Sequence, residues 1–108
     1  IVVMKSITAK ELRDKVEAGH PVMVVDVREQ NEFDMASMGG YLIPMSEIQQ
    51  RYTEIPKEGD VVIQCRSGMR SANVIQFLTE KHGFDNLINL EGGIIAWARD
   101  VDPTIVVG

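Results

Sequence analysis

Val61-Val62-Ile63-Gln64-Cys65-Arg66-Ser67-Gly68-Met69-Arg70-Ser71 is the stretch on which the reading of this 108-residue chain turns. An apolar run suited to a buried strand, Val61 to Gln64, leads into a cysteine and then into a loop of small residues and two arginines. Ala72 to His82 follows as a helical pattern, with Val74, Ile75 and Leu78 on one face, Phe77 extending it, and Gly83 as its stop. The chain's only cysteine therefore lies on a strand-to-helix turn.

That placement suits a reactive sulfur. The thiolate is the nucleophile, and a free cysteine is mostly protonated at neutral pH. A helix N-terminus supplies backbone N–H groups without intrahelical partners and a partial positive charge. A loop wrapped around the sulfur aims further N–H groups inward, as an anion-binding nest. Gly68 permits backbone angles closed to other residues, Ser67 is small, and Ser71 is placed to cap the helix. Arg66 and Arg70 add full charge, either on the thiolate or on an incoming anion. Together these features predict a depressed Cys65 pKa. The plain alternative, an inert apolar cysteine, belongs inside a strand or on a helix face rather than before Arg-Ser-Gly-Met-Arg-Ser.

Outward from the loop, apolar runs alternate with helical patterns. Met4–Ile7 reads as a first strand. Thr8 and Glu11 form a capping box opening a helix over Ala9–Ala18, with Leu12 and Val16 as its buried stripe and Gly19 as its stop. Pro21-Val22-Met23-Val24-Val25-Asp26 is a continuous apolar run of the kind a parallel strand covered on both faces requires. Met35 and Met38 are expected to fill gaps in the core. Tyr41–Ile43 reads as a short strand, and Ser46 as the cap of a helix reaching about Tyr52, with Ile48 inward. Asp85–Leu90 is a further strand, and Gly92-Gly93 leads into a helix carrying Ile94, Ile95 and Trp97. The two glycines are expected to let this turn pass close to the cysteine loop, and Trp97 to pack in the core. His20 and His82 read as surface residues. The alternation predicts an α/β protein with its cysteine at the C-terminal edge of a strand, where open α/β sheets build their sites.

Composition narrows the function. With 44% hydrophobic and 25% charged residues the chain is ordinary for a globular domain, and residues 1–108 read as one such domain. Ile1-Val2-Val3 reads as a possible linker or tag remnant, and Met4 as a possible initiator. A net charge of −5 gives little electrostatic support for nucleic-acid binding. One cysteine rules out an internal disulfide or a CxxC redox pair, and the spread of two histidines and one cysteine offers no metal-ligand spacing. No run has membrane-spanning length and no secretory pattern opens the chain. With the free thiol, this leads to an expected cytoplasmic location without membrane partners.

Cys65-Arg66-Ser67-Gly68-Met69-Arg70-Ser71 resembles the active-site loop of rhodanese domains, sulfurtransferases that carry sulfur as a cysteine persulfide. Cysteine-based phosphatases have a similar loop, one residue longer, to cradle a tetrahedral phosphate; here Arg66 to Met69 separate Cys65 from Arg70. Asp26-Val27-Arg28 with Glu32-Phe33 resembles the family's first signature, and Glu91-Gly92-Gly93 before a tryptophan-bearing helix resembles its closing one. Met38-Gly39-Gly40-Tyr41-Leu42-Ile43-Pro44 lacks a histidine that many members carry in this segment, and is similar to members fused to ubiquitin-like-protein activating enzymes.

The resemblance implies a small parallel sheet of about five strands with helices on both faces. It implies Cys65 as catalytic residue, Arg66, Ser67, Gly68, Met69, Arg70 and Ser71 as the substrate-binding loop, and Asp26 and Arg28 as support rather than direct chemistry. It further implies sulfur transfer of the thiosulfate:cyanide type, from thiosulfate or a protein persulfide to a small-molecule or protein acceptor, with no cofactor or metal. The alternatives are a non-catalytic interaction module on the same fold and, disfavoured by loop length, a phosphatase or arsenate reductase.

Overall fold

The structure, a computed structural model, describes residues 4–108; the expected linker or tag remnant at Ile1–Val3 lies outside the described residues. Strands and helices alternate as β1 (Lys5–Ile7), α1 (Ala9–Glu17), β2 (Val22–Asp26), α2 (Gln30–Met35), β3 (Tyr41–Leu42), α3 (Ile48–Arg51), β4 (Asp60–Gln64), α4 (Met69–His82), β5 (Leu87–Leu90) and α5 (Gly93–Asp100). The strands form one sheet in the order β1-β5-β4-β2-β3, and every pairing is parallel. No helix among the described residues is long and apolar enough to cross a membrane.

The central strand explains why its sequence runs apolar without alternating. Val61 and Ile63 face one core, which includes Val74, Ile75 and Leu78 of α4, Ile48 of α3 and Val25 of β2. Val62 points to the opposite core, with Leu12 of α1, Leu90 of β5 and Ala96 of α5. Helices thus cover both faces, and all three residues are at most 1% exposed. Each such burial contributes about 1.5–3 kcal/mol before entropy is set against it. Trp97, as expected, packs partly buried on the α1–α5 side.

The helix at the first strand starts as predicted. Glu11 N–H donates to Thr8 Oγ1 at 3.1 Å, and Thr8 N–H donates to Glu11 Oε1 at 2.9 Å. Its buried stripe is shorter than predicted: Ala9 and Leu12 are covered, but Val16 is 52% exposed. The edge strand β1 has only three residues, Lys5–Ile7, of which Ile7 alone is buried. Met35 is likewise no core filler, being 75% exposed at the end of α2, whereas Met38 packs against the α1–α5 core. The helix expected from Ser46 is broken into a 3-10 turn, the short α3 and a second 3-10 turn, and Ser46 Oγ donates to Glu29 instead of capping. His82 stacks on Tyr52 with ring centroids 3.8 Å apart, which gives this partly exposed side chain a packing role.

These burials predict a contrast. Ile63→Ala should lower unfolding free energy by about 2–5 kcal/mol, whereas Met35→Ala should stay within about 0.5 kcal/mol of the parent. Urea unfolding midpoints of the two variants measure both.

Candidate active site

Parallel register brings the ends of β2 and β4 to the same edge. Asp26 is level with Gln64, so Cys65 leaves the sheet beside the end of β2. The loop that follows is held from behind by α5. The amides of Ile94 and Ile95 donate to the carbonyls of Cys65 (2.9 Å) and Arg66 (3.2 Å), and Gln64 Nε2 donates to the Cys65 carbonyl at 2.9 Å. In a trans peptide the C=O and N–H point opposite ways. Fixing these carbonyls towards α5 therefore turns the N–H groups of the same two peptides, those of Arg66 and Ser67, away from α5. So close an approach requires glycine: a Cβ at Gly93 would sit 2.3 Å from the Cys65 carbonyl oxygen, and Gly93 also has φ +57°.

Cys65 is 1% exposed, with its sulfur inside the loop. It accepts the Gly68 amide at 3.1 Å and the Ser71 amide at 3.4 Å, and lies 3.3 Å from Ser71 Oγ. Burial pushes the Cys65 thiol up. The Ser71 hydroxyl and the backbone amides of Ser71, Gly68 and Ser67 outweigh it, leaving the pKa below its ordinary value.

Helix α4 begins three residues earlier than the sequence suggests. Gly68, at φ +103°, is the N-cap, so the chain turns directly into helix at Met69. Ser71 does not cap. It lies fully buried within the first turn, with its hydroxyl aimed at Cys65 and at Asn89 Oδ1, 2.6 Å away. Ser67 contributes its backbone while its side chain stays exposed, and the Met69 side chain is 75% exposed at the lip. The two arginines lie apart from the sulfur's hydrogen bonds. Arg66 donates to the Gly108 carbonyl through Nε (3.2 Å) and Nη2 (3.0 Å). Arg70 grips Glu32 with two bonds, of 2.7 and 2.8 Å.

That grip belongs to a chain of ion pairs. Asp26 and Arg28, 0% and 2% exposed, are joined by Nε and Nη2 contacts of 2.8–3.2 Å. Arg28 Nη2 also donates to the Ala36 carbonyl at 2.7 Å, which ties the end of α2 to β2. Helix α2, not expected from the sequence, then presents Glu32 to Arg70 across the loop. The Arg70 guanidinium holds the Glu32 carboxyl down to about 2, so the clamp is ionised throughout the neutral range. Asn89 is the partner that sequence reasoning missed. Its signal was a polar side chain inside the apolar run Leu87–Leu90, level with Ile63 of β4 and so on the α4 side. No group of three or more His, Cys, Asp or Glu side chains among the described residues is placed to hold a metal ion.

Two predictions test this assembly. Arg28→Met leaves Asp26 buried without its partner and should cost about 3–5 kcal/mol of stability, read from denaturant unfolding. Gly93→Ala adds a clash and a left-handed alanine, and should cost about 2–4 kcal/mol. By tilting the loop peptides it should also raise the pH midpoint of Cys65 alkylation.

The family model described as "Rhodanese-like domain" matches residues 8–100. A protein named "Sulfurtransferase" from Allochromatium vinosum is 38% identical over 103 residues, covering 94% of this chain and 95% of its own length. The "Probable adenylyltransferase/sulfurtransferase MoeZ" of Mycobacterium tuberculosis is 35% identical over 105 residues, but this chain spans only 26% of that protein's length. Among solved structures, a rhodanese-like domain protein from Staphylococcus aureus superposes with a TM-score of 0.81 at 38% identity, over 97% of this chain and 99% of its own. A strand-to-helix cysteine loop on a five-stranded parallel sheet, matched along nearly its whole length by these proteins, places the chain in the rhodanese-like domain family.

Proposed function

We propose that the chain is a sulfurtransferase that carries sulfane sulfur on Cys65. The observation that carries this reading is the ring of donors on a buried sulfur, with Gly68 N–H at 3.1 Å and Ser71 N–H at 3.4 Å. Such a ring favours a thiolate, and it also suits the negative charge that a persulfide carries on its outer sulfur.

Transfer runs as a double displacement. The Cys65 thiolate attacks the outer sulfur of a donor such as thiosulfate. A new S–S bond forms at Cys65 while the donor's own S–S bond breaks, and its electron pair leaves with sulfite. A persulfide donor, small or protein-borne, reacts the same way and releases its thiolate. An acceptor nucleophile then attacks the outer sulfur of the Cys65 persulfide. The S–S bond breaks back towards Cys65 and regenerates the thiolate.

The surrounding residues divide this work. Amides of Ser67, Gly68 and Ser71 steady the anionic sulfur. Arg66, bonded to the Gly108 main-chain oxygen, and Arg70, bonded to Glu32, supply charge for an anionic donor. Met69, exposed at the lip, suits contact with a donor or acceptor protein. Asp26 and Arg28 position the α2 wall. A compartment that keeps thiols reduced, such as the cytoplasm, suits this chemistry.

A phosphatase mechanism is less well served. It needs an acid to protonate its leaving group, and the nearby carboxylates are taken up, Asp26 by Arg28 and Glu32 by Arg70. An interaction module without catalysis would have no use for amides aimed at a buried thiol.

Intact mass after incubation with thiosulfate tests the proposal. The expected result is a gain of one sulfur atom, reversed by reductant and absent in Cys65→Ser. No gain from thiosulfate or from persulfide donors, with Cys65 still readily alkylated, would overturn it. Alkylation and loading should rise together with pH, through a midpoint below the value of about 8.5 for an unperturbed thiol.

A further inference from the structure

Ser71 has one hydroxyl hydrogen and two neighbours competing for it. Cys65 Sγ is 3.3 Å from its Oγ, and Asn89 Oδ1 is 2.6 Å away. The orientation of the Asn89 carboxamide is fixed from its other end. Its Nδ2 lies 3.2 Å from the Gly68 carbonyl, which can only accept. The amide nitrogen must therefore face Gly68, and the amide oxygen must face Ser71. An oxygen that only accepts takes the hydroxyl hydrogen, so in the resting site Ser71 Oγ is left to accept from the Cys65 thiol.

From this geometry we infer that Asn89 is a positioning residue that holds the Ser71 hydroxyl away from the sulfur until the sulfur is charged. When the Cys65 proton leaves to solvent, the hydroxyl rotates about its Cβ–Oγ bond, gives up Asn89 and donates to the thiolate. No proton passes through Ser71. Once sulfur is taken up, the charge moves to the outer atom and the hydroxyl returns to Asn89. The inference rests on the reading of Cys65 as the reacting sulfur and adds a residue that sets how readily it ionises. The charged groups around the sulfur are otherwise engaged. Arg70 of α4 is bound to Glu32 of α2, Asp26 at the end of β2 is bound to Arg28, and Arg66 of the loop is bound to the Gly108 carbonyl.

Asn89→Leu removes the competitor and keeps the branching and heavy-atom count of the side chain. The test is the pH midpoint of iodoacetamide alkylation for the parent, Asn89→Leu, Ser71→Ala and the double variant. Asn89→Leu should lower the midpoint by about half to one pH unit, and should leave it unmoved when Ser71 is already alanine. A merely structural Asn89 gives the opposite sign, because a slackened loop loses amide donors and raises the midpoint. A midpoint raised or unchanged by Asn89→Leu, or an equal fall in the Ser71→Ala background, overturns the inference. Should the variants not fold, the unsubstituted chain supplies the answer through the side-chain carbonyl carbon of Asn89. Its NMR resonance should titrate with the alkylation midpoint, and a resonance that stays flat across that midpoint overturns the inference. Both readouts follow ionisation and neither requires sulfur transfer. A chain that ionises as described but takes up no sulfur would count against the sulfurtransferase reading alone.

Discussion

The two hydrogen bonds from α5 to the carbonyls of Cys65 and Arg66 are the constraint on which the site depends. They fix which way the first two loop peptides face, and so begin the turn that brings the Gly68 and Ser71 amides onto the sulfur. Everything around them serves the same end. Gly93 permits the contact, Gln64 reinforces it from the sheet, and Asn89 holds the far side of the loop at Gly68. The thiol's lowered pKa is thus made by the Ser71 hydroxyl together with the loop amides rather than by a neighbouring cation.

That division of labour explains the arginines. At first sight Arg66 and Arg70 suggest direct pairing with the sulfur. Arg70 instead closes a chain of ion pairs running from Asp26 through Arg28 and α2 to Glu32. Its charge is spent on holding the wall of the site. A buried pair such as Asp26–Arg28 adds little net stability over apolar packing, but removing one partner is costly. Its value here lies in tying α2, a helix without a fully buried side chain, to the strand that ends beside the cysteine.

Much of this was legible in the sequence, where the signal was local. Apolar runs at Val22–Val25 and Val61–Ile63 marked strands buried on both faces, and Thr8 with Glu11 marked a helix start. The strand, cysteine and Gly68 in succession marked the loop, and the family followed from it. What escaped depended on contacts between distant segments. The inward turn of Ser71 follows from Asn89 lying level with Ile63. The exposure of Val16 follows from how short the edge strand is. The engagement of Arg70 follows from an unforeseen α2. In each case the side chain's chemistry was plain and its partner was not, because the pairing is set by sheet register rather than by sequence distance.

The strand order carries a consequence for the making of the protein. β1 pairs with β5, so Lys5 lies beside Ile88, and the loop is oriented by residues as late as Ile95. Parallel sheets of this kind assemble slowly, because distant segments must meet before any pairing is rewarded. During synthesis the cysteine emerges before Asn89, Ile94 and Ile95 exist to organise it. A nascent or unfolded chain therefore carries a thiol of ordinary acidity, and the depressed pKa arrives only with the finished fold. Acidity so arranged reports on folding: a misfolded copy keeps the ordinary acidity of a free thiol.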